Sequence, residues 1–408
     1  MSDQTEPAIP TGITTMKRIA VLGAGVIGLT TALKIQETGK YHVQIMTDVI
    51  PSDPKTIKYT SHWAGAYHVI DEEAGTLGEE IQRKTFHEMW ALSERGSPAE
   101  DCFLRSKQTH YFATEQSRPH YFERMPNFQE VSKEDLPAGV HSGFSFDSVT
   151  IDVPIYLNYL LKQFLAKGGA FTRIHIQHID ELLEDGYPPF AIQKEIEAGI
   201  SSYSTSAPVA YETPAAVVVC AGLGCRTLGG IEDLDVYPAR GQTVILKAPW
   251  VRSVKVYEAP DGTWTYIIPR KSGNVVIGGT KEANDWYPKP RPETTRDILE
   301  RALAICPELA PPEVRNKSSG ELPKVEDLIP IIAEEAVGLR PMRKGGPRIE
   351  SGFWKGPGSN GQRVPVIYNY GHGPEGYIKS IGSAYIALEL LEKIFPEELD
   401  PSIITVFG

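Results

Sequence analysis

No run of about 18 apolar residues occurs in this chain, so no membrane-spanning helix is expected. Cysteine is scarce. Cys102, Cys220, Cys225 and Cys306 are the four present in 408 residues, and they make no C-x-x-C pair and no zinc-ligand spacing. A disulfide scaffold is excluded at that density, a reduced intracellular protein is expected, and no metal site is assigned. Positive charge is in the minority: 41 Lys and Arg against 52 Asp and Glu give a formal net charge of −11. A sequence-independent binder of nucleic acid or of anionic membrane is therefore not expected, although a local basic pocket is compatible with the balance. Residues 1–16 are polar, contain proline and lack an apolar core, so they read as a loose tail and not as a secretory signal. The final Thr405-Val406-Phe407-Gly408 is not a peroxisomal address of the Ser-Lys-Leu type.

What is present is a globular composition long enough for two to three domains. Ile19-Ala20-Val21-Leu22 is a continuous apolar run, the mark of a strand buried on both faces. Gly23-Ala24-Gly25-Val26-Ile27-Gly28 follows, then a helical pattern with Leu29, Ala32, Leu33 and Gln36 on one face. A second strand covers His42 to Met46, with Asp48 just beyond it. This strand–turn–helix–strand unit carries the dinucleotide fingerprint. Its first glycine makes the tight turn, the second admits the pyrophosphate, and the third lets helix pack on strand. The helix N-terminus offers free N–H groups to phosphate, and Asp48 would accept from ribose hydroxyls. The fingerprint alone leaves NAD and FAD both open.

Further along, 71–92 reads as helix, 105–149 as mixed and turn-rich, and 154–166 as helix. Residues 171–176 and 215–220 read as strands, with a polar excursion over 185–213 between them. Four strands follow over 242–246, 253–257, 264–268 and 274–277, in an antiparallel pattern. A helix marked by Ile298, Ala302 and Ile305, a strand over 366–370 and a helix over 378–393 complete the pattern. Parallel signals at both ends with antiparallel ones between predict a dinucleotide domain made from separated segments, with a second sheet domain inserted.

From Lys17 to Glu397 the chain resembles the D-amino-acid oxidase family of flavoenzymes. The segments that carry the resemblance are Val21 to Leu29, Thr60-Ser61-His62-Trp63-Ala64-Gly65-Ala66, Arg240-Gly241-Gln242-Thr243 and Tyr266-Ile267-Ile268-Pro269-Arg270. Val337-Gly338-Leu339-Arg340-Pro341, Arg343 to Arg348 and Asn369-Tyr370-Gly371-His372-Gly373 complete them. The resemblance implies FAD and an α/β fold. In that fold a Rossmann-type FAD-binding domain is built from 17–104, 150–240 and 335–400. A substrate domain with a mixed, largely antiparallel sheet comprises 105–149 and 241–334. It implies oxidation of a D-amino acid by hydride transfer to flavin N5, with oxygen as final acceptor and release of the 2-oxo acid, ammonia and hydrogen peroxide. It also implies a peroxisomal location, and it leaves homo-oligomerisation open.

Residue by residue, the resemblance places the Thr60–Ala66 loop, Ile179, Cys220-Ala221-Gly222, Gly373, Gly376, Tyr377 and Ile378 against the cofactor. Lys379 falls near the expected flavin pyrimidine edge. Arg340 matches the arginine that takes the substrate α-carboxylate, and Tyr266 the tyrosine that meets the same group. A planar guanidinium fits a carboxylate bidentately, which a lysine does not. Cys220 reads as a small buried hydrophobe without a redox role.

Departures from the family pattern bear on the substrate. Lys281 follows Gly278-Gly279-Thr280 where neutral-substrate fungal members have tyrosine and D-aspartate oxidases resemble arginine. A cation there implies an anion to balance it, hence a substrate side-chain carboxylate. Arg252, Lys255 and His62 are further candidates for that carboxylate, and the Pro374 carbonyl for the amine. Glu375 is expected to point outward or to pair with a lysine, since a carboxylate in the pocket would repel an acidic substrate. The reading is a D-aspartate-preferring oxidase, with a neutral D-amino-acid oxidase as the alternative.

Overall fold

A computed structural model describes residues 16–184, 213–316, 321–359 and 361–396. The expected tail up to residue 15, the polar excursion over 185–212 and residues 397–408 lie outside the described residues. Among the described residues no helix is long and apolar enough to cross a membrane.

The first sheet grows outward from β1 (Lys17–Leu22), whose apolar run is buried because it has a strand on each edge and packing on both faces. β2 (Tyr41–Thr47) and β8 (Ala216–Val219) flank it in parallel. β7 (Ala170–Arg173) extends the sheet beyond β2, and β16 (Val364–Tyr370) extends it beyond β8, again in parallel. β15 (Arg348–Trp354) closes the far edge antiparallel to β16. Helices α1 (Val26–Glu37), α3 (Val153–Ala166) and α5 (Gly376–Ile394) pack on one face. The other face is filled by Ile179, Leu182, Leu183 and Leu228 against Val217 and Val219. Leu29, Ala32, Leu33 and Gln36 are all buried, as the helical spacing predicts.

The second sheet has ten strands. In spatial order they run β13 (Glu282–Ala283), β9 (Val236–Lys247), β12 (Asn274–Gly278), β11 (Trp264–Pro269), β10 (Val254–Glu258), β4 (Phe103–Phe112), β6 (Ser142–Ile151) and β3 (Ala66–Tyr67). β14 (Ile332–Arg343) pairs with β9, and β5 (Gln129–Glu130) pairs with β6. Every pairing is antiparallel except β4 with β10, so the sheet is mixed and largely antiparallel. Helix α4 (Pro292–Ile305) packs Ile298, Leu299 and Ala302 on Val244, Leu246 and Ile277. Two expected domain boundaries, at 240/241 and 334/335, fall inside β9 and β14.

Several elements differ from the sequence reading. Helix α2 (Leu77–Leu92) starts six residues later than expected, where the Thr76 hydroxyl caps it by accepting from the Glu79 N–H at 3.2 Å. The turn-rich stretch 105–149 contains most of two ten-residue strands, β4 and β6. Their buried positions include Ser106, Gln108, His110, Ser145, Ser148 and Thr150, so polarity hid the strand pattern. β14 was hidden by Glu334, Glu335, Arg340 and Arg343, charged residues that flank its buried Ala336–Leu339 run.

Three of the buried histidines contribute most plainly to the acid response of this fold. Burial holds His68, His110 and His372 down to about 3, so each is neutral in the folded protein at pH 7. The unfolded chain binds these protons near 6.5, and the folded chain does not until about pH 3. Their contribution is complete above pH 6.5 and is lost progressively as pH falls from there toward 3. His110 packs against Phe122 and Phe146, with ring centroids 4.5 and 5.3 Å away. His110→Phe should therefore flatten the loss of stability between pH 6.5 and 5 by up to ~1.4 kcal/mol per pH unit. Urea midpoints of the holoprotein at pH 7, 6 and 5 check this, and an unchanged slope would show that His110 ionises freely in the fold.

Candidate active site

The C-terminal ends of β1, β2, β8 and β16 open into a cleft of 1660 Å³ that reaches strands β9, β11 and β14 of the second sheet. A single small ligand usually occupies ~300–1,000 Å³, so this cleft has room for a dinucleotide together with a substrate. The carboxyl ends of parallel strands are where α/β sheets place such ligands.

At the β1–α1 turn the backbone is exposed to the cleft. Gly23 has φ +99°, and its N–H donates to the Met46 carbonyl at 2.9 Å. A side chain there would stand 2.7 Å from the Cys220 carbonyl oxygen, and one at Gly28 would overlap the Gly23 carbonyl. Glycine is therefore required at both positions, by space at Gly28 and by space and dihedral at Gly23. Gly23, Ala24, Gly25, Val26 and Ile27 line the cleft at the start of α1. The Val26 N–H donates to the Ser61 hydroxyl at 3.0 Å. Asp48 lines the same end just after β2, 3.5 Å from His175 Nδ1.

The Thr60–Ala66 loop is stitched to the second sheet and to α5. The Thr60 hydroxyl donates to the Leu339 carbonyl at 2.7 Å, and the Tyr377 hydroxyl donates to the Ser61 carbonyl at 2.8 Å. The Trp63 indole N–H donates to the Thr56 carbonyl at 2.9 Å, and Arg270 donates to the Ala64 carbonyl at 3.0 Å. Thr60, Ser61, Trp63, Ala64, Gly65 and Ala66 all line the cleft, as do Cys220, Ala221 and Gly222 at the end of β8. Burial pushes the Cys220 thiol up to about 12.

At the other end, β14 carries Arg340 and β11 carries Tyr266 into the cleft. Arg340 pairs across with Ala239, which sets its side chain diagonally over Gly241; a side chain at Gly241 would occupy the guanidinium's place. Arg340 donates to the Thr280 carbonyl at 2.9 Å, leaving N–H groups of its fork for a ligand. The Tyr266 ring lies against Gly278 and Gly279, where added side chains would come within about 2.6 Å of it. Burial raises the Tyr266 hydroxyl above its ordinary value, while Arg340 and then Arg301 pull it down.

Lys281 and Pro374 line this cleft. Lys281 is exposed, and among the described residues no carboxylate lies within ion-pair distance of it. Gly373, Gly376, Tyr377 and Ile378 line it as well.

Other candidates stand elsewhere. Lys255 Nζ is 3.0 Å from Glu308 and does not line the cleft. Arg252 precedes β10 and donates to the Arg270 carbonyl at 3.3 Å, also outside the cleft. His62 is buried with Nε2 on the Pro51 carbonyl at 3.0 Å, turned away from the ligand space by its own loop. Ile179 is packed in the core of the first sheet and not in the cleft wall. Lys379 contacts the carboxylates of Glu72 and Glu375 and is likewise absent from the lining.

The cleft wall also contains residues the sequence reading did not single out. His372 is 4% exposed, and neither ring nitrogen has a hydrogen-bond partner. It stood within a quoted family segment, which was its one signal. Arg301 on α4 donates to the Thr265 hydroxyl at 2.6 Å and to Asp297 at 2.8 Å. Nothing in the helix pattern distinguishes it from an ordinary solvent-facing arginine. Tyr67, Asp71, Thr280 and Trp286 complete this part of the lining.

A dinucleotide turn on a parallel sheet, joined to a mixed sheet that supplies an arginine and a tyrosine, defines a flavin-dependent oxidoreductase. The chain belongs to the FAD dependent oxidoreductase family, whose match covers residues 18–390. It is 36% identical to the D-aspartate oxidase of Cryptococcus neoformans var. grubii, covering 92% of this chain and 96% of that one. It is 31% identical to the D-amino-acid oxidase of Schizosaccharomyces pombe, covering 90% and 93%. Its fold is similar to that of glycine oxidase from Bacillus cereus, with a TM-score of 0.63 at 16% identity over 92% of this chain and 97% of that one.

FAD is the cofactor, and the residues present fit it. The glycine turn leaves a side-chain-free approach beside the α1 N-terminus, and the cleft continues past the Thr60–Ala66 loop. The unpartnered ring nitrogens of His372 offer the middle of the cleft a buried polar contact.

Proposed function

We propose that this chain oxidises an acidic D-amino acid, D-aspartate foremost, with oxygen as the electron acceptor, giving the 2-oxo acid, ammonia and hydrogen peroxide. The observation that carries the acidic preference is Lys281. It lines the cleft with Arg340 and Tyr266 and has no carboxylate partner of its own among the described residues. The names of two relatives, a D-aspartate oxidase and a D-amino-acid oxidase, support the reaction class.

In this reading Arg340 takes the α-carboxylate on its fork while one N–H keeps the Thr280 carbonyl. The Tyr266 hydroxyl, which burial keeps protonated, donates to the same carboxylate. Lys281 takes the side-chain carboxylate, and the Pro374 carbonyl accepts from the amine. Bound FAD supplies the hydride acceptor. No residue need act as a strong base, so the protein's contribution is orientation and exclusion of water. Asp48 is assigned to the ribose, and the first-turn N–H groups of α1 to the pyrophosphate.

Lys281→Met should lower kcat/KM for D-aspartate by tenfold or more while D-alanine turnover persists. Peroxide formation with D-Asp, D-Glu, D-Ala and their L-forms measures this, and an unchanged D-Asp/D-Ala ratio would remove Lys281 from the substrate. The alternative, a neutral D-amino acid, is favoured by the exposure of Lys281, whose long stem can carry the ammonium to solvent. Wild-type preference for D-alanine would select it.

A further inference from the structure

The Gly373–Gly376 turn, which packs on β14, brings an acid, Glu375, into the wall of the cleft that also holds Arg340 and Lys281. Asp71 lines the same wall, its carboxyl raised by burial, with the Gln82 amide donating to it at 2.6 Å. Glu72 adjoins it in sequence. Three acids therefore gather here, which would repel a substrate carrying two carboxylates.

Lys379 lies among them. It is one turn into α5, four residues after Glu375, and its ammonium contacts the carboxylates of both Glu375 and Glu72. Its side chain is 6% exposed, against 32% for Glu375 and 34% for Glu72. Burial opposes its charge, yet Glu375 and Glu72 together raise its proton affinity above the ordinary lysine value. The contact also ties the Glu72 segment to the Gly373–Ile378 segment of the cleft lining.

We infer that Lys379 is a positioning residue for substrate selectivity: it holds the Glu375 carboxylate against itself and away from the substrate, so that the cleft admits a dicarboxylic substrate. This rests on the acidic-substrate reading of the same site. An uncompensated unit charge about 10 Å from a substrate charge, at an effective dielectric near 20, changes affinity by roughly ten- to twentyfold. Without Lys379, Glu375 is free to turn toward the substrate.

The test uses the FAD-loaded enzyme with Lys379→Met, Glu375→Gln and the double variant. Each is assayed for kcat/KM with D-aspartate and D-alanine. Lys379→Met should lower the D-Asp/D-Ala ratio about tenfold. The double variant should return the ratio to within about threefold of wild type, a rescue that a purely structural lysine would not give. Glu375→Gln alone should shift the ratio by less than about threefold, because its carboxylate is already held away from the substrate. That variant keeps the question decidable if Lys379→Met does not fold. A tenfold or greater rise with Glu375→Gln, or a double variant no more selective than Lys379→Met, overturns the inference. Binding of malonate against acetate, read from the visible spectrum of bound FAD, separates the two claims. If wild type prefers D-alanine the acidic-substrate reading fails, and the malonate/acetate ratio across the same variants still decides whether Lys379 holds Glu375 back.

Discussion

Arg340→Leu should raise KM for every D-amino acid by roughly 10- to 150-fold, the cost of losing a hydrogen-bonded charge pair. The expectation rests on where β14 places the side chain. Arg340 reaches the cleft over Gly241, and its bond to the Thr280 carbonyl fixes one nitrogen beside the Tyr266 hydroxyl. The loss should be similar for D-Asp and D-Ala, because the α-carboxylate is common to both. Arg340→Lys should recover only part of it, since an ammonium carries the charge without the bidentate geometry. Steady-state kinetics on the flavin-loaded variants measures both. A near-normal KM in the leucine variant would place the α-carboxylate elsewhere. A loss confined to D-Asp would exchange the assignments of Arg340 and Lys281.

Gly28→Val should yield protein without bound FAD. The first atom of any side chain there overlaps the Gly23 carbonyl, so α1 must move away from β1 and the cradle at the α1 N-terminus comes apart. Overpacking of this kind costs typically about 1–3 kcal/mol, occasionally more, and here it falls on the turn assigned to the pyrophosphate. Visible absorbance of the purified variant, and the flavin released from it on heating, report the outcome directly. Retention of a full complement of FAD would show that the β1–α1 turn does not carry the cofactor's phosphates. Circular dichroism distinguishes loss of cofactor from loss of fold.

The parallel half of the fold was legible because its signals are local. A four-residue apolar strand, a glycine turn and a helix with a 3.6-residue stripe lie within thirty residues, and the structure contains all three. The antiparallel half was legible over 242–277, where β-branched strands alternate with turns. It was not legible in β4 and β6, where polar residues share the interior positions, or in β14, where charged residues flank a short apolar run. Backbone features of the site were equally readable, since Gly23, Gly28 and the Trp63–Ala66 loop are specified by what cannot fit there. Side-chain direction was not. Lys255 lies in a strand of the second sheet, yet its partner is Glu308, 53 residues later. Lys379 opens α5 as expected, and it is held by Glu72, 307 residues away. Such pairings depend on tertiary contacts that no window of sequence contains.

The burial of the cysteines has a consequence for an enzyme whose proposed reaction releases peroxide. Peroxide attacks the thiolate, and the ladder from sulfenic to sulfonic acid begins only there. Among the described residues all four cysteines are buried; burial pushes Cys102, Cys220 and Cys306 up to about 12, and Cys225 well above its ordinary value. At pH 7 a group at about 12 is ionised in roughly one molecule in 10⁵. Cys220, which lines the cleft itself, is thus held in its unreactive form. The fold that builds the flavin cleft also shields the catalyst from its own product.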